Sequence, residues 1–260
     1  MPRFMKGRGK RGWFLEGYEA LFTADLDALL ESTGCTVVKD QKRIRVYRVL
    51  LRGEPLYIKR YNPYALSVPL EALFRGSKAF RSWKGAGILR DHGIDTAEAV
   101  AAVEERRFGI TGKSYFITRE IEGAEISVLF YEKMFTEGRE PLSERRRFIR
   151  ALASLFRRLH REGIYHNDLK DYNILMRIEG GEYRFFLLDL EGVYLFKTLP
   201  RRCRMENLVQ IYRTLGRLWS AGDKAAFIRE YTGAEDWKDL ARDLIEAVRR
   251  KDRISGEKRL

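Results

Sequence analysis

The stretch GIYHNDLKDYNILM, residues 163–176, sets His166, Asn167, Asp168, Lys170, Asp171 and Asn173 into a run that is otherwise mostly apolar. Asp168 follows His166 by two residues, Lys170 follows Asp168 by two, and Asn173 follows Asp168 by five. Downstream, FLLDLEG delivers Asp189 from the end of an apolar segment, and upstream LYIK carries Lys59. A carboxylate can take up a proton, amide and carboxylate oxygens can hold a hard cation, and ammonium groups can neutralise phosphate. Taken singly, each residue also has a plainer use. Asp and Asn form turns and caps, and a strand lysine or a strand-ending Asp is commonly solvated or caps the next segment. Order along the chain, and the elements that carry these residues, must decide.

Those elements follow from pattern. CTVVKD, RIRVYRVLL and PLYIKRY are rich in Val, Ile, Leu and Tyr and are separated by charged or Gly/Pro turns, which predicts three strands of an antiparallel meander. Lys59 lies on the third. Residues 77–91 read as a helix stopped at His92–Gly93, and AEAVAAVEERRFGITGKSYFITREI as two further strands. EIEGAEIS reads as a connector. From Ser143, Phe148, Ile149, Leu152, Leu155, Phe156 and Leu159 are spaced as the buried face of a long helix that Gly163 ends. The polar stretch comes next, then the strand YRFFLLDLEGV, then a helical remainder with Trp219 and Trp237 expected as core anchors. Ahead of all this stands a basic arm with Arg3, Lys6, Arg8, Lys10 and Arg11, and a helix over residues 19–32 ended by Gly34. The expected organisation is an arm and helix over residues 1–34, a β-rich part over 35–122, and a mainly helical part over 123–260.

The ordered set of strand Lys, connector, long helix, His-x-Asp loop, strand and Asp resembles the protein-kinase-like fold. HNDLKDYN stands for the His-Arg-Asp-Leu-x-x-x-x-Asn catalytic loop, with Asn167 in place of the Arg, and DLEG for Asp-Phe-Gly. The resemblance implies an α+β, bilobal architecture: a small antiparallel β-rich N-lobe with an αC-type helix, and a mainly helical C-lobe. It implies ATP as phosphoryl donor and Mg2+ as cofactor. Asp168 would orient the acceptor hydroxyl and accept its proton, and Lys170 would reach the transferred phosphate. Asn173 and Asp189 would hold the metal, Lys59 the α and β phosphates, and His166 would brace the loop. For adenine the position is the connector backbone at Glu120, Ile121 and Glu122.

A narrower resemblance follows from KAFRSWKGAGILRDHGIDTAEAVAAVE and CTVVKDQKRIRVYRVLLRGEPLYIKRY, which are similar to the αC helix and the opening hairpin of the bacterial lipopolysaccharide kinase (Kdo/WaaP) family. That family implies phosphorylation of a sugar hydroxyl, Kdo or heptose, of the lipopolysaccharide inner core on the cytosolic side of the inner membrane. Three departures from the protein-kinase pattern stand out. KDQKRIR replaces a glycine-rich loop, so a basic hairpin is expected over the phosphates. About seventy residues follow Asp189, too few for a usual peptide-binding lobe with its activation segment. The αC-type helix has no Glu for Lys59; Arg81 or Ser82 falls near its expected place, and Glu71 precedes the helix. The missing glycine loop and helix Glu leave a nucleotide-binding pseudokinase as one alternative; the Lys of HNDLK, typical of Ser/Thr protein kinases, leaves an atypical protein Ser/Thr/Tyr kinase as another, which the missing activation segment opposes.

Bulk properties set the outer bounds. The 260 residues carry 50 Lys and Arg against 37 Asp and Glu, a net charge of +13. That balance fits an anionic partner or a basic, solvated surface. The anionic glycolipid acceptor is compatible with it, and the N-terminal arm and the C-terminal RRKDRISGEKRL are candidates for peripheral contact with an anionic membrane, or are charged tails without a partner. No nucleic-acid-binding signature appears, and nucleic acid is not expected. Two distant cysteines, Cys35 and Cys203, form no disulfide or zinc pattern and fit a reducing, cytoplasmic location. No apolar run reaches the roughly 18 residues of a membrane span.

Overall fold

The computed structural model describes residues 1–7, 9–32, 34–62, 76–107, 110–127, 131, 132, 135, 141–233 and 237–257. The chain divides into two compact units. The first is Met1–Ile121 together with Asp189–Gly192; the second is Glu122–Leu188 with Val193–Leu260.

The first unit is built on a seven-stranded antiparallel sheet of order β1-β2-β6-β7-β5-β4-β3. Its strands are β1 (Arg3–Gly7), β2 (Lys10–Phe14), β3 (Cys35–Gln41), β4 (Ile44–Leu51), β5 (Glu54–Tyr61), β6 (Ala99–Arg107) and β7 (Ile110–Arg119). The predicted meander is β3–β5. Alternation along β4 and β5 sends Tyr47, Val49, Leu56 and Ile58 into a core shared with Val100, Val103, Tyr115 and Ile117. β6 carries Ala101 and Ala102, buried completely, so its backbone lies close to neighbours on both faces.

Two expectations at the N-terminus are corrected. The basic arm is a hairpin, β1–β2, that extends the sheet through β6. Its apolar residues and one ion pair hold it there: Phe14 is fully buried, Trp13 stacks with Trp83 at 6.5 Å between ring centroids, and Arg11 reaches the buried Glu104 carboxylate at 2.5 Å. The single helix expected over residues 19–32 is two short ones, α1 (Ala20–Thr23) and α2 (Leu26–Glu31). Asp25 breaks the run by capping α2, accepting from the backbone N–H groups of Asp27 and Ala28 at 3.1 Å.

Helix α3 (Lys78–Asp91) begins at the Ser77 cap, whose backbone N–H donates to Glu104 Oε1 at 2.9 Å. It packs against the turn 190–192 along a face of small residues. Gly85 is required there, since a Cβ on it would lie 2.3 Å from the Leu190 carbonyl oxygen.

The second unit is mainly helical: α4 (Leu142–Arg161), α5 (Arg201–Arg213), α6 (Ala221–Thr232) and α7 (Trp237–Glu257). Short strands accompany them: β8 (Ala124–Glu125), β9 (Ile164–His166), β10 (Ile174–Glu179), β11 (Glu182–Leu187) and β12 (Val193–Leu195). They form a three-stranded sheet β11-β10-β8 and a pair β12-β9. On α4, Phe148, Ile149, Leu152, Phe156 and Leu159 are buried as the periodicity predicts, and Phe156 meets Phe227 of α6 edge-on. Gly163 ends α4 with φ +75, beside the Phe196 carbonyl, so the chain turns directly into β9. Trp219 is buried in a cluster with Tyr212 and Phe227. Trp237 is not a core residue: it is half-buried, with the Arg229 guanidinium 4.4 Å from its ring centroid. No helix among the described residues is long and apolar enough to cross a membrane.

Candidate active site

In the second unit the predicted loop is one connected structure. β9 ends at His166, a 3-10 turn covers Asp171–Asn173, and β10 begins at Ile174. The Asp168 carboxylate is engaged from three sides. Lys170 Nζ lies 2.5 Å from Oδ1, while Asn173 Nδ2 donates to Oδ2 at 3.1 Å and to the Asp168 carbonyl at 2.8 Å. The Tyr172 hydroxyl donates to Oδ2 at 3.4 Å and accepts from Lys170 Nζ at 2.9 Å. The Lys170 ammonium is opposed by partial burial but held above its ordinary pKa by Asp168 and Tyr172. With Nδ2 committed, Asn173 presents Oδ1 as its free acceptor.

His166 braces this loop. Its Nε2 lies 2.8 Å from the Leu188 carbonyl and its Nδ1 accepts from the Asp168 backbone N–H at 3.2 Å, which assigns the neutral Nε2–H tautomer. Beneath the loop sit two side chains of α5 that no motif announced. Asn207 Nδ2 donates to the His166 carbonyl at 2.5 Å, and Gln210 accepts from Leu169 N at 2.9 Å while donating to the Asn167 carbonyl at 2.6 Å. Their legible signal was an i, i+3 pair of amides on the side of RRCRMENLVQIYR that also carries buried Leu208 and Ile211.

Asn207 is itself oriented by His160 of α4, whose Nε2 faces Asn207 Oδ1 at 3.3 Å and whose Nδ1 faces the Tyr231 hydroxyl at 2.8 Å. An amide oxygen only accepts, so His160 carries its proton on Nε2 and takes one from Tyr231 on Nδ1. Burial pushes the His160 pKa down to about 4, aided by the Arg204 charge and opposed by the bond to Asn207.

In the first unit the structure brings together Lys59 and Asp189, which form an ion pair. Burial disfavours the ammonium, but the Tyr61 oxygen, Asp189 and Glu191 outweigh it, and Lys59 is held well above the ordinary lysine range. Its Nζ also stands 5.4 Å from the Tyr61 ring centroid. Asp189 adopts a left-handed conformation, φ +58, which Asp tolerates better than most residues. The missing helix Glu has a clear outcome here. Ser82 bonds the Tyr61 hydroxyl at 3.1 Å, Arg81 donates to the Gly76 carbonyl at 3.2 Å, and Lys59 takes Asp189. Glu71 lies outside the described residues. A second pair, Lys78 with Glu191 at 2.7 Å, ties α3 to the residues after Asp189.

At the connector, the Glu120 side chain is bidentate to Arg48 at 2.8 Å on each oxygen, which lowers its pKa, and its N–H donates to the Pro55 carbonyl at 3.1 Å. Ile121 ends the first unit and Glu122 begins the second. No cluster of three His, Cys, Asp or Glu suited to a metal ion occurs among the described residues.

The sequence matches the lipopolysaccharide kinase (Kdo/WaaP) family over residues 37–231. The chain belongs to this family. Membership makes it a kinase, a phosphotransferase with an alcohol group as acceptor. Relatives include the lipopolysaccharide core heptose(I) kinase WaaP of Escherichia coli, 28% identical over 184 residues that cover 68% of this chain and 69% of that one. The enzyme of the same description from Pseudomonas aeruginosa is 23% identical over 158 residues, 59% of each chain. Among solved structures, WaaP in complex with acyl carrier protein superposes with a TM-score of 0.71 at 21% identity, covering 93% of this chain and 97% of that one. The fold is therefore protein-kinase-like, as expected from the ordered motifs.

Proposed function

We propose that this Kdo/WaaP-family kinase transfers the γ-phosphoryl group of ATP to a sugar hydroxyl of the lipopolysaccharide inner core, with heptose favoured over Kdo. The carrying observation is the Asp168 carboxylate held among Lys170, Tyr172 and Asn173 on a loop anchored from below by Asn207 and Gln210. Preference for heptose rests on the relatives, which are heptose(I) kinases.

In this reading Asp168 orients the acceptor hydroxyl and takes its proton as the oxygen attacks. Lys170, already beside that carboxylate, neutralises charge on the transferred group. Lys59 turns from Asp189 to the nucleotide phosphates, whose negative charge favours its cationic form in place of the carboxylate. Asn173, through its amide oxygen, and Asp189, through its carboxylate, are the residues that would hold Mg2+, a cation that takes oxygen donors. The cation, when bound, would supply neutralisation of the phosphate charge. The connector backbone at Glu120, Ile121 and Glu122 is the expected adenine contact, and the β3–β4 hairpin with Lys42 and Arg43 the cover for the phosphates. Such an acceptor supports the reading of a cytoplasmic protein that works peripherally at the cytosolic face of the inner membrane.

The test is ATP consumption by purified protein with Mg2+, with and without deacylated lipopolysaccharide core, beside Asp168→Ala. Core-stimulated turnover that disappears in the variant supports the reading. Undiminished turnover in Asp168→Ala, or stimulation by a protein acceptor in place of the core, rejects it.

A further inference from the structure

A groove of about 1660 Å³ runs through the second unit between α5 and α7, with Asp168 and Lys170 among the residues lining it. The lining holds eight Lys and Arg side chains against five Asp and Glu, an excess of three positive charges. Part of this charge is internally neutralised: Arg213 pairs with Asp252 at 2.7 Å, Arg201 with Asp243, and Lys170 with Asp168. Arg202 on α5 and Arg249, Arg250 and Arg253 on α7 have no carboxylate partner among the described residues, and all four are exposed. Met205, Val209 and Ala247 are the main apolar side chains on the lining.

We propose that this groove is the acceptor site, and that it takes an oligosaccharide carrying phosphate or carboxylate groups. The inference rests on the reading of Asp168 as the base. The chemistry matches the ligand class at both ends. Guanidinium groups present paired donors that fit phosphate and carboxylate bidentately. The carboxylates of Glu206 and Glu246, on the same lining, accept hydrogen bonds from sugar hydroxyls. A glycan lying along α5 and α7 brings one hydroxyl to Asp168 while its anionic groups rest on Arg202, Arg249 and Arg250. The unpaired arginines thus determine which glycan is held in register, and take no part in proton or phosphoryl movement.

The experiment compares the full chain with Arg202→Gln/Arg249→Gln/Arg250→Gln. Binding of deacylated, phosphorylated core oligosaccharide, of the same core with its phosphates removed, and of ATP is measured by calorimetry, and vesicles of anionic phospholipid are tested by sedimentation. The triple variant is expected to bind phosphorylated core roughly tenfold or more weakly, with ATP affinity unchanged and the dephosphorylated core affected much less. The corresponding triple Lys variant, which keeps charge but not the planar fork, is expected to recover part of the loss. Equal affinity of wild type and variant for phosphorylated core overturns the proposal. So does no binding of core by the wild type, or loss of vesicle binding with core binding intact, which makes the groove a membrane face. Weakened core binding in the variant with no ATP turnover by the wild type retains the groove and rejects the kinase reading. Normal turnover with unchanged acceptor KM in the variant does the opposite.

Discussion

Replacing Asn207 by Leu tests whether the loop is held from beneath. The side chain is 1% exposed and makes three bonds that matter: to the His166 carbonyl, to Gln210 Oε1 at 3.0 Å, and from His160 Nε2. Leucine fills a similar volume, so no cavity term is added. It leaves the His160 N–H buried without a partner, at about 1–3 kcal/mol, and removes a net hydrogen bond to the loop worth about 1 kcal/mol. The expected loss is about 2–4 kcal/mol, a large share of the 5–15 kcal/mol typical of a domain. Urea unfolding should show it as a lower midpoint with an unchanged slope. Turnover should fall more than nucleotide affinity, because the displaced group is Asp168. Adding His160→Phe removes the stranded donor, and the pair of substitutions should cost less than the sum of the singles. A single-variant loss under about 0.5 kcal/mol with wild-type turnover, or strict additivity in the double variant, refutes the reasoning.

Four further outcomes follow from the same geometry. His160 has its pKa lowered from 6.5 to about 4, so between those values the unfolded chain binds a proton that the folded one does not. Stability is therefore full above about pH 6.5 and falls toward pH 4 by roughly 3 kcal/mol in all, and a His160→Phe variant should show a shallower decline in pH-dependent urea titrations. Asp168→Asn keeps the shape but cannot take the proton, and kcat should fall by about 10²–10⁴ with acceptor affinity nearly kept, as read by initial rates. Lys59→Met should weaken ATP binding by roughly tenfold or more in calorimetry, a charge-assisted contact to phosphate being lost. Gly85→Ala forces a methyl against the Leu190 carbonyl and should cost roughly 1–3 kcal/mol in thermal unfolding, whereas Gly87→Ala on the same helix, where the nearest atom is 3.9 Å away on a flexible arginine, should be neutral or stabilising.

The parts legible in the sequence were those that one element carries by itself. Strands β3–β7 show in their composition and the turns between them, helix α3 in its stop at His92–Gly93, helix α4 in its periodicity, and the loop from His166 to Asn173 in its spacing. What escaped depends on partners remote in the chain. Residues 3–14 are rich in Arg and Lys, and their charge masks the Phe4, Trp13 and Phe14 pattern that makes them strands once β6 is beside them. Trp237 was expected inside on composition, but an indole can equally cover an arginine at the surface. Glu104 sits in a strand as one acid among several, and only its neighbours Arg11 and Ser77 explain how it is fully buried. The kinase pattern puts the lysine's partner in α3, while the ion pair forms with Asp189, 130 residues downstream. Asn207 and Gln210 looked like ordinary helix residues, because the backbone groups that they hold belong to a loop some forty residues earlier.

The turn at residues 189–192 belongs to the first unit, although the chain on either side of it belongs to the second. During synthesis, then, the first unit cannot reach its final packing when residue 121 leaves the ribosome. The Gly85 face of α3 stays uncovered, and Lys59 and Lys78 lack Asp189 and Glu191, until some seventy more residues have been made. An N-terminal fragment ending at Ile121 would present that bare, small-residue face to water. Folding of the two units is therefore obligatorily interleaved, and the acid that pairs with Lys59 is also the residue at which the first unit closes.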